Sequence, residues 1–550
     1  MSSKQTTANA KPLSLVRILI RLFPAFVVAF PVLFIVGNIV GVLHGLSFGV
    51  ITYVTNRFFD AVTDAVSHHA TLRHGAGTAL WMGAALGAAT IGTQVLNGLH
   101  NFMGNVFSQK MIGYLSKQIN RKAARIDPVS YESPALLDDI NKAHEGMGNS
   151  IGLVFTGVTI VTFYVPYFLF MGVYLFGLKP ILAFSLVLIF VPVVVSQLIR
   201  GVVFAKLEDK AAPIRREYDY LEKCICDREY FKETRLLGAF GYFRDLYQST
   251  LALLGKKVWQ AERRTGLLEL AMKMLTLAGY FGVLYLLFDA MMDGHITVGA
   301  FAAVFASIGL MFNIMEEVVS RHIGSMTRNL GTVRNFIRFL DLPEREGKDL
   351  PVDAGSGIVL DHASFRYPGA EADSLTGITL QVKQGETIAI VGENGAGKTT
   401  LVKLMTGIYL PVEGAVRLGG VDTRDVSAEA VYRGITAVFQ KFQRYMMTLD
   451  DNIRISQTQS RGPSSAEEDD RLLEAADKAD LDPGSGSFPQ RYDTMLSREF
   501  DGVDLSGGQW QRVAIARGFY RAHGLIVLDE PTAAIDPIEE TRIYNKFAEI

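Results

Sequence analysis

Apolar residues are gathered into long unbroken runs over the first part of the chain and alternate on shorter periods after Gly357. No Asp, Glu, Lys or Arg occurs between Arg21 and Arg57 or between Arg73 and Lys110. Further charge-free runs cover Gly146–Leu178, Pro180–Ile199, Met274–Phe288 and Gly294–Met315. A helix needs about 20 mostly apolar residues to cross a bilayer. Five of the six runs meet that length; the Met274 run reaches it by extending back through Leu267–Met272, which admits Glu269 and Lys273. The pattern predicts six transmembrane helices, near 23–53, 79–105, 151–176, 180–204, 266–289 and 296–318. Buried helices of a soluble core rarely run so long without a charge.

After Leu340 the pattern changes. Asp341–Asp349 is polar and reads as the start of a linker over 341–356. From there, β-type runs at Ile358–Leu360, Ile378–Val382 and Thr387–Val391 precede a helix opening at Lys398, which is an α/β pattern. The expected domains are therefore a six-helix membrane domain over 1–340, the linker, and an α/β domain over 357–550.

Charge and composition add orientation. Lys4, Lys11, Arg17 and Arg21 precede the first span, and the long segments after spans two and four carry Lys110, Lys117, Arg121, Lys122, Lys210, Arg215 and Arg216. The turn at Gly177–Pro180 has one Lys and the loop Asp289–Gly299 has none. Basic loops stay on the cytoplasmic side, so both termini, the two long loops and the α/β domain are expected there. Both loops are too long merely to join spans; Ser130–Pro134 reads as a break before a short helix Ala135–Lys142. A charged share of 20% with net charge −2 leaves no basic field for nucleic acid. The two cysteines, Cys224 and Cys226, exclude a disulfide scaffold, and no second pair or nearby His completes a metal site.

The α/β domain carries the candidate chemistry. Gly392-Glu393-Asn394-Gly395-Ala396-Gly397-Lys398-Thr399, followed by Thr400, is a G-x-x-x-x-G-K-[ST] phosphate loop between an expected strand and helix. Glycines let the backbone wrap phosphate, Lys398 reaches the β- and γ-phosphates, and the Thr399 hydroxyl is placed for Mg²⁺. Downstream, Gly524–Leu528 is an apolar strand ending in Asp529 and Glu530. Asp529 suits the Mg²⁺ shell and Glu530 can polarise an attacking water. Between them, Leu505-Ser506-Gly507-Gly508-Gln509 opens a helix over Trp510–Tyr520, and its hydroxyl, glycines and helix N-terminus form an anion cradle. The fold class is thus an α-helical membrane domain of six transmembrane helices plus an α/β P-loop NTPase domain.

In this order and spacing the motifs resemble the ATP-binding cassette (ABC) transporter family in its exporter branch, over essentially the whole chain. The resemblance implies ATP and Mg²⁺ as cofactors, with Tyr367 stacking on adenine and Gln440 touching Mg²⁺. It implies a loop at Ala533–Asp536 that crosses a dimer interface, and a second cytoplasmic loop at Lys232–Gly238. Coupling helices are expected near Ala135–Lys142 and Arg215–Lys223. Two copies would sandwich two ATP molecules, each between the phosphate loop of one chain and Ser506 and Gly508 of the other. Intact Glu530 and signature favour a homodimer over pairing with a paralogous half-transporter. The family's switch histidine falls beyond Ile550, so the sequence reads as a truncated form of an active transporter.

The expected activity is ATP-driven export of a peptide or amphipathic small molecule across a bacterial cell membrane; a lipid flippase or a non-transporting ATP-binding regulator is the alternative. Trp510 and Lys441–Tyr445 resemble bacterial peptide exporters. Within the spans, Gln94, Asn97, Asn101, Asn105 and Ser108 recur at helical steps and form one polar stripe that either lines a path or bonds a neighbouring helix. Glu316 and Glu317 read as a solvated helix end, the alternative being attraction of a cationic or peptidic substrate, and His44 reads as a packed polar residue.

Overall fold

The computed structural model describes residues 15–67, 77–318, 322, 324–457, 466–529 and 541. The chain forms two compact units, one of Met1–Arg121 with Asp139–Asp341 and one of Lys122–Asp138 with Leu342–Ile550.

The first unit is helical: α1 (Leu15–Ala29), α2 (Pro31–Ser67), α3 (Gly77–Arg125), α4 (Pro134–Thr159), a π-turn (Ile160–Tyr164), α5 (Val165–Leu178), α6 (Pro180–Cys226), α7 (Phe231–Leu236), α8 (Phe240–Met292), α9 (Val298–Glu316) and α10 (Gly324–Leu340). Among the described residues, six stretches are long and apolar enough to cross a membrane: Pro31–Ser67, Gly77–Arg125, Asp139–Leu178, Pro180–Phe204, Phe240–Met292 and Val298–Glu316.

The first expected span, 23–53, is corrected: Pro31 cannot donate a backbone N–H, and the chain breaks at Phe30 between α1 and α2. Of the others, four lie inside longer helical stretches and the sixth is slightly shorter than expected, Val298–Glu316. Charge marks where lipid ends, not where the helix ends, so α6 and α8 run to 47 and 53 residues. For the same reason the expected short helices near Ala135–Lys142 and Arg215–Lys223 are turns of the long α4 and α6. The short elements between spans are instead a 3-10 turn at Pro128–Glu132 and α7.

Gly41, Gly45 and Gly49 line one side of α2. A Cβ at Gly45 would lie 2.2 Å from the Phe163 carbonyl oxygen, within the π-turn, and one at Gly49 2.2 Å from the Phe170 ring. Small residues at every fourth position let helices approach closely in lipid. Tyr167, Met171, Leu175, Leu287, Ile308 and Met311 fill the core beside this seam.

In the second unit, β1 (Ile358–Phe365), β2 (Leu375–Val382), β3 (Glu413–Leu418) and β4 (Val421–Asp422) form an antiparallel sheet in the order β2-β1-β3-β4. A separate pair, β5 (Ile435–Val438) and β6 (Leu525–Leu528), is parallel. The helices are α11 (Lys398–Met405), α12 (Ala428–Tyr432), α13 (Leu449–Arg454), α14 (Ala466–Lys478) and α15 (Gly507–Tyr520). The strand expected at Thr387–Val391 makes no ladder among the described residues. Ile388 and Ile390 still pack on the sheet core while Val391 is exposed, so alternate burial holds the segment. Of the residues read as a linker, Lys348 bridges to Val426 and lies on the cassette.

Candidate functional site

Lys398 opens α11, and Gly397 before it has φ +88°, as does Gly395. A Cβ at Gly397 would also come within 2.9 Å of Leu375 Cδ2, so both conformation and space demand glycine there. A glycine-turned loop leading into a helix N-terminus favours anions. Lys398 Nζ donates to the carbonyls of Gly392 (2.8 Å) and Glu393 (3.2 Å), which holds the ammonium against the loop. Glu393, Asn394, Gly395, Ala396 and Thr399 are exposed, while Thr400 is buried.

The parallel register pairs Val438 with Leu528, so Gln440 and Asp529 both follow the carboxyl ends of neighbouring strands. Ligand sites of α/β sheets lie at such ends. Asp529 is 9% exposed, its N–H donates to the Val438 carbonyl (2.9 Å), and its Oδ1 accepts from the Thr399 hydroxyl at 3.3 Å. A hydroxyl and a carboxylate brought together beside a phosphate loop are hard oxygen donors of the kind Mg²⁺ takes. The residues present therefore fit a nucleotide triphosphate with Mg²⁺. Gln440 is exposed just beyond β5. Glu530 and Ala533–Asp536 lie outside the described residues.

Tyr367 is half-buried, its hydroxyl 3.0 Å from Thr400 Oγ1 and its ring edge-on to Phe365 (5.1 Å) and Tyr409 (5.9 Å). The structure thus ties the expected base-contacting ring to the phosphate-loop helix.

The Ser506 motif stands on a different core. Ser506 caps α15: its Oγ accepts from Gln509 N–H (3.3 Å) and its own N–H donates to Gln509 Oε1 (2.9 Å), a capping box. Gln509 Nε2 donates to Ser487 Oγ (2.8 Å). Ser506 and Gly507 are exposed and Gly508 is half-buried, whereas Trp510, 3% exposed, packs in the core with Leu449, Ile453 and Val513.

Arg517 carries no motif signal in the sequence, yet it joins the two regions. From α15 it donates to the carbonyls of Gln443 and Asn452, each 2.7 Å, under the Tyr445 ring. Burial brings its guanidinium pKa down to about 10, so it stays cationic at neutral pH. Buried Asn452 in turn donates to the carbonyls of Tyr445, Met447 and Thr448. The segment following Gln440 is thereby anchored to the helix that Ser506 caps.

In the membrane unit, Glu316 ends α9, is exposed, and accepts from Lys273 at 2.7 Å. His44 is buried between Phe48 and Phe163, as a packed polar residue. Along α3, Asn101 donates to Asn97 (3.0 Å), and Gln94, Asn101 and Asn105 are exposed.

Comparison with known proteins bears on this arrangement. Residues 375–533 match the family described as ABC transporter. The chain is 26% identical over 469 residues to a subtilin transport ATP-binding protein of Bacillus subtilis, which covers 83% of this chain and 74% of that protein. It is 37% identical over 185 residues to a nisin transport ATP-binding protein of Lactococcus lactis subsp. lactis, covering 34% of this chain and 30% of that one. An ATP-dependent lipid A-core flippase of Methylococcus capsulatus is 29% identical over half of this chain and 44% of its own length. The fold is similar to that of a bacterial Atm1-family ABC exporter with ATP bound, at a TM-score of 0.72 and 20% identity, over 97% of this chain and 90% of that one. The match to the ABC transporter family lies within the second unit, and six helices long and apolar enough to cross a membrane accompany it among the described residues, so the chain joins an ATP-binding domain of ABC transporter type to a helical membrane domain.

Proposed function

We propose that the protein is a Mg²⁺-dependent ATPase that drives export of a peptide or amphipathic small molecule, working as a homodimer in a bacterial cell membrane with its cassette in the cytoplasm. The observation that carries this reading is the Thr399–Asp529 contact beside a glycine-turned phosphate loop, in a chain with six membrane-length helices. Relatives named for subtilin and nisin transport support a peptide cargo.

MgATP supplies the phosphoryl group whose transfer to water drives the cycle. Lys398 and the amides of the loop would hold the phosphates, Thr399, Asp529 and Gln440 would hold the metal, and Tyr367 would hold the base. Glu530 takes the proton of the attacking water. Ser506 and Gly508 of one copy close over the phosphates held by the other. The exposed polar face of α3 at Gln94, Asn101 and Asn105 supports a water-lined cargo path, because such groups are costly against lipid.

The test uses the full chain in lipid nanodiscs and vesicles. Glu530→Gln removes the base and lowers ATPase by roughly 10²–10⁴-fold while leaving ATP binding intact. Lys398→Ala lowers nucleotide binding or hydrolysis. Full ATPase activity in a protein carrying both substitutions would sink the reading. A lipid flippase is the second reading, supported by relatives of that name. Stimulation of the ATPase by lipids but not by peptides would select it, and movement of no solute or lipid into vesicles would leave a regulator.

A further inference from the structure

The segment Lys122–Asp138, between two spans, belongs to the same compact unit as the cassette. Its 3-10 turn, Pro128–Glu132, is capped by Asp127 and pinned by the Tyr131 hydroxyl, which donates to the Ala123 carbonyl (2.9 Å). Glu132 Oε1 at the end of the turn accepts from the Tyr409 hydroxyl and from Lys403 Nζ (2.9 Å). Lys403 also donates to the Tyr409 oxygen (2.9 Å) and lies 4.8 Å from the ring centre. Tyr409, 2% exposed, stacks on Phe365 at 5.0 Å and 11°, and stands edge-on to Tyr367. Val129 of the same turn packs on this aromatic cluster.

The protonation states suit the contact. Hydrogen bonds from Tyr409 and then Lys403 hold the Glu132 carboxyl below its ordinary range, and burial with the Glu132 contact raises the Tyr409 phenol. At neutral pH one is an acceptor and the other a donor.

We infer that Glu132 and Tyr409 are positioning residues for Tyr367: the carboxylate from the loop between spans orients Tyr409, and Tyr409 sets the face that Tyr367 offers to the nucleotide base. The inference rests on the reading of Tyr367 as the base contact. Aromatic pairs depend on ring geometry, and their loss weakens stacking without touching the phosphate loop. Glu132 thereby tunes recognition of the base, separately from the phosphates.

The experiment measures ATPase kinetics of the full chain in nanodiscs for Glu132→Gln, Tyr409→Phe, Tyr367→Ala and the Glu132→Gln, Tyr367→Ala pair, with tripolyphosphate as a competitor that has no base. Glu132→Gln and Tyr409→Phe are each expected to raise the KM for ATP about three- to tenfold with kcat little changed. Inhibition by tripolyphosphate should stay as in the parent. In the Tyr367→Ala background, Glu132→Gln should add nothing. An unchanged KM, an equal loss of tripolyphosphate binding, or an effect that persists without the Tyr367 ring each overturns the inference. Tyr409→Phe keeps the stacked ring, so it decides the matter if Glu132→Gln fails to fold. If Tyr367→Ala itself leaves the KM unchanged while Lys398→Ala lowers nucleotide binding or hydrolysis, the base reading fails and the inference with it. A raised KM in Tyr367→Ala beside an inert Glu132→Gln sinks the inference alone.

Discussion

Two short polar contacts organise the cassette. The first is Thr399 with Asp529, separated by 130 positions and brought to 3.3 Å. Replacing Asp529 by Asn keeps the shape but removes a charge from the oxygen set. The Mg²⁺ concentration for half-maximal ATPase is expected to rise about tenfold or more, read by titrating Mg²⁺ at fixed ATP. The second is the Ser506 cap. Ser506→Ala loses the acceptor for the Gln509 N–H and should cost about 1 kcal/mol of helix stability. Its effect on ATPase should be larger than that cost explains if the hydroxyl also faces phosphate. Thermal melting and turnover measured on the same preparation separate the two roles. Both motifs were legible in the sequence because their requirements are local: glycine at positive φ, lysine at the helix start, and a serine three residues before glutamine. Arg517 and Tyr409 were not, since neither differs by its neighbours from an ordinary arginine on a helix or an ordinary core tyrosine.

Elements were legible in kind and misread in extent. A charge-free run reports the part of a helix that meets lipid, while α6 and α8 continue as polar helices beyond it. Pro31 splits what hydrophobicity alone presents as one span. The seam of α2 against the π-turn depends on glycine at 45, where a Cβ would lie 2.2 Å from a backbone carbonyl that cannot swing away. Gly45→Val should therefore lower stability by about 1–3 kcal/mol or more, visible as a lower melting temperature in detergent. The turn Pro128–Glu132 makes a pH prediction. Because Glu132 is held below its ordinary range when folded, its contribution is present above that range and lost as pH falls through the lowered value. The stability difference between parent and Glu132→Gln should be present at neutral pH and vanish in acid, read by thermal unfolding across pH.

For the molecule as a whole, the helix after the phosphate loop and the Ser506 motif pack on separate cores, and the Ser506 hydroxyl bonds Gln509 of its own helix. In the proposed reaction, a second copy brings its Ser506 over the phosphates. With MgATP, Glu530→Gln should hold two chains together, and single-particle mass measurement in nanodiscs should find pairs. A strictly single chain with full parental ATPase would contradict this arrangement.

The amino-acid sequence by itself determined that six apolar stretches are long enough to cross a membrane, the α/β class of the second domain, and the phosphate-loop and Ser506 motifs. These depend on properties carried by a few adjacent residues: charge, glycine freedom, and helix starts. Tertiary structure alone decided which distant residues meet. Glu132 reaches Tyr409 across 277 positions, and Lys122–Asp138 joins the cassette unit although it lies between membrane helices. Such contacts are set by how whole elements pack, and no local pattern in the chain encodes the geometry of that packing.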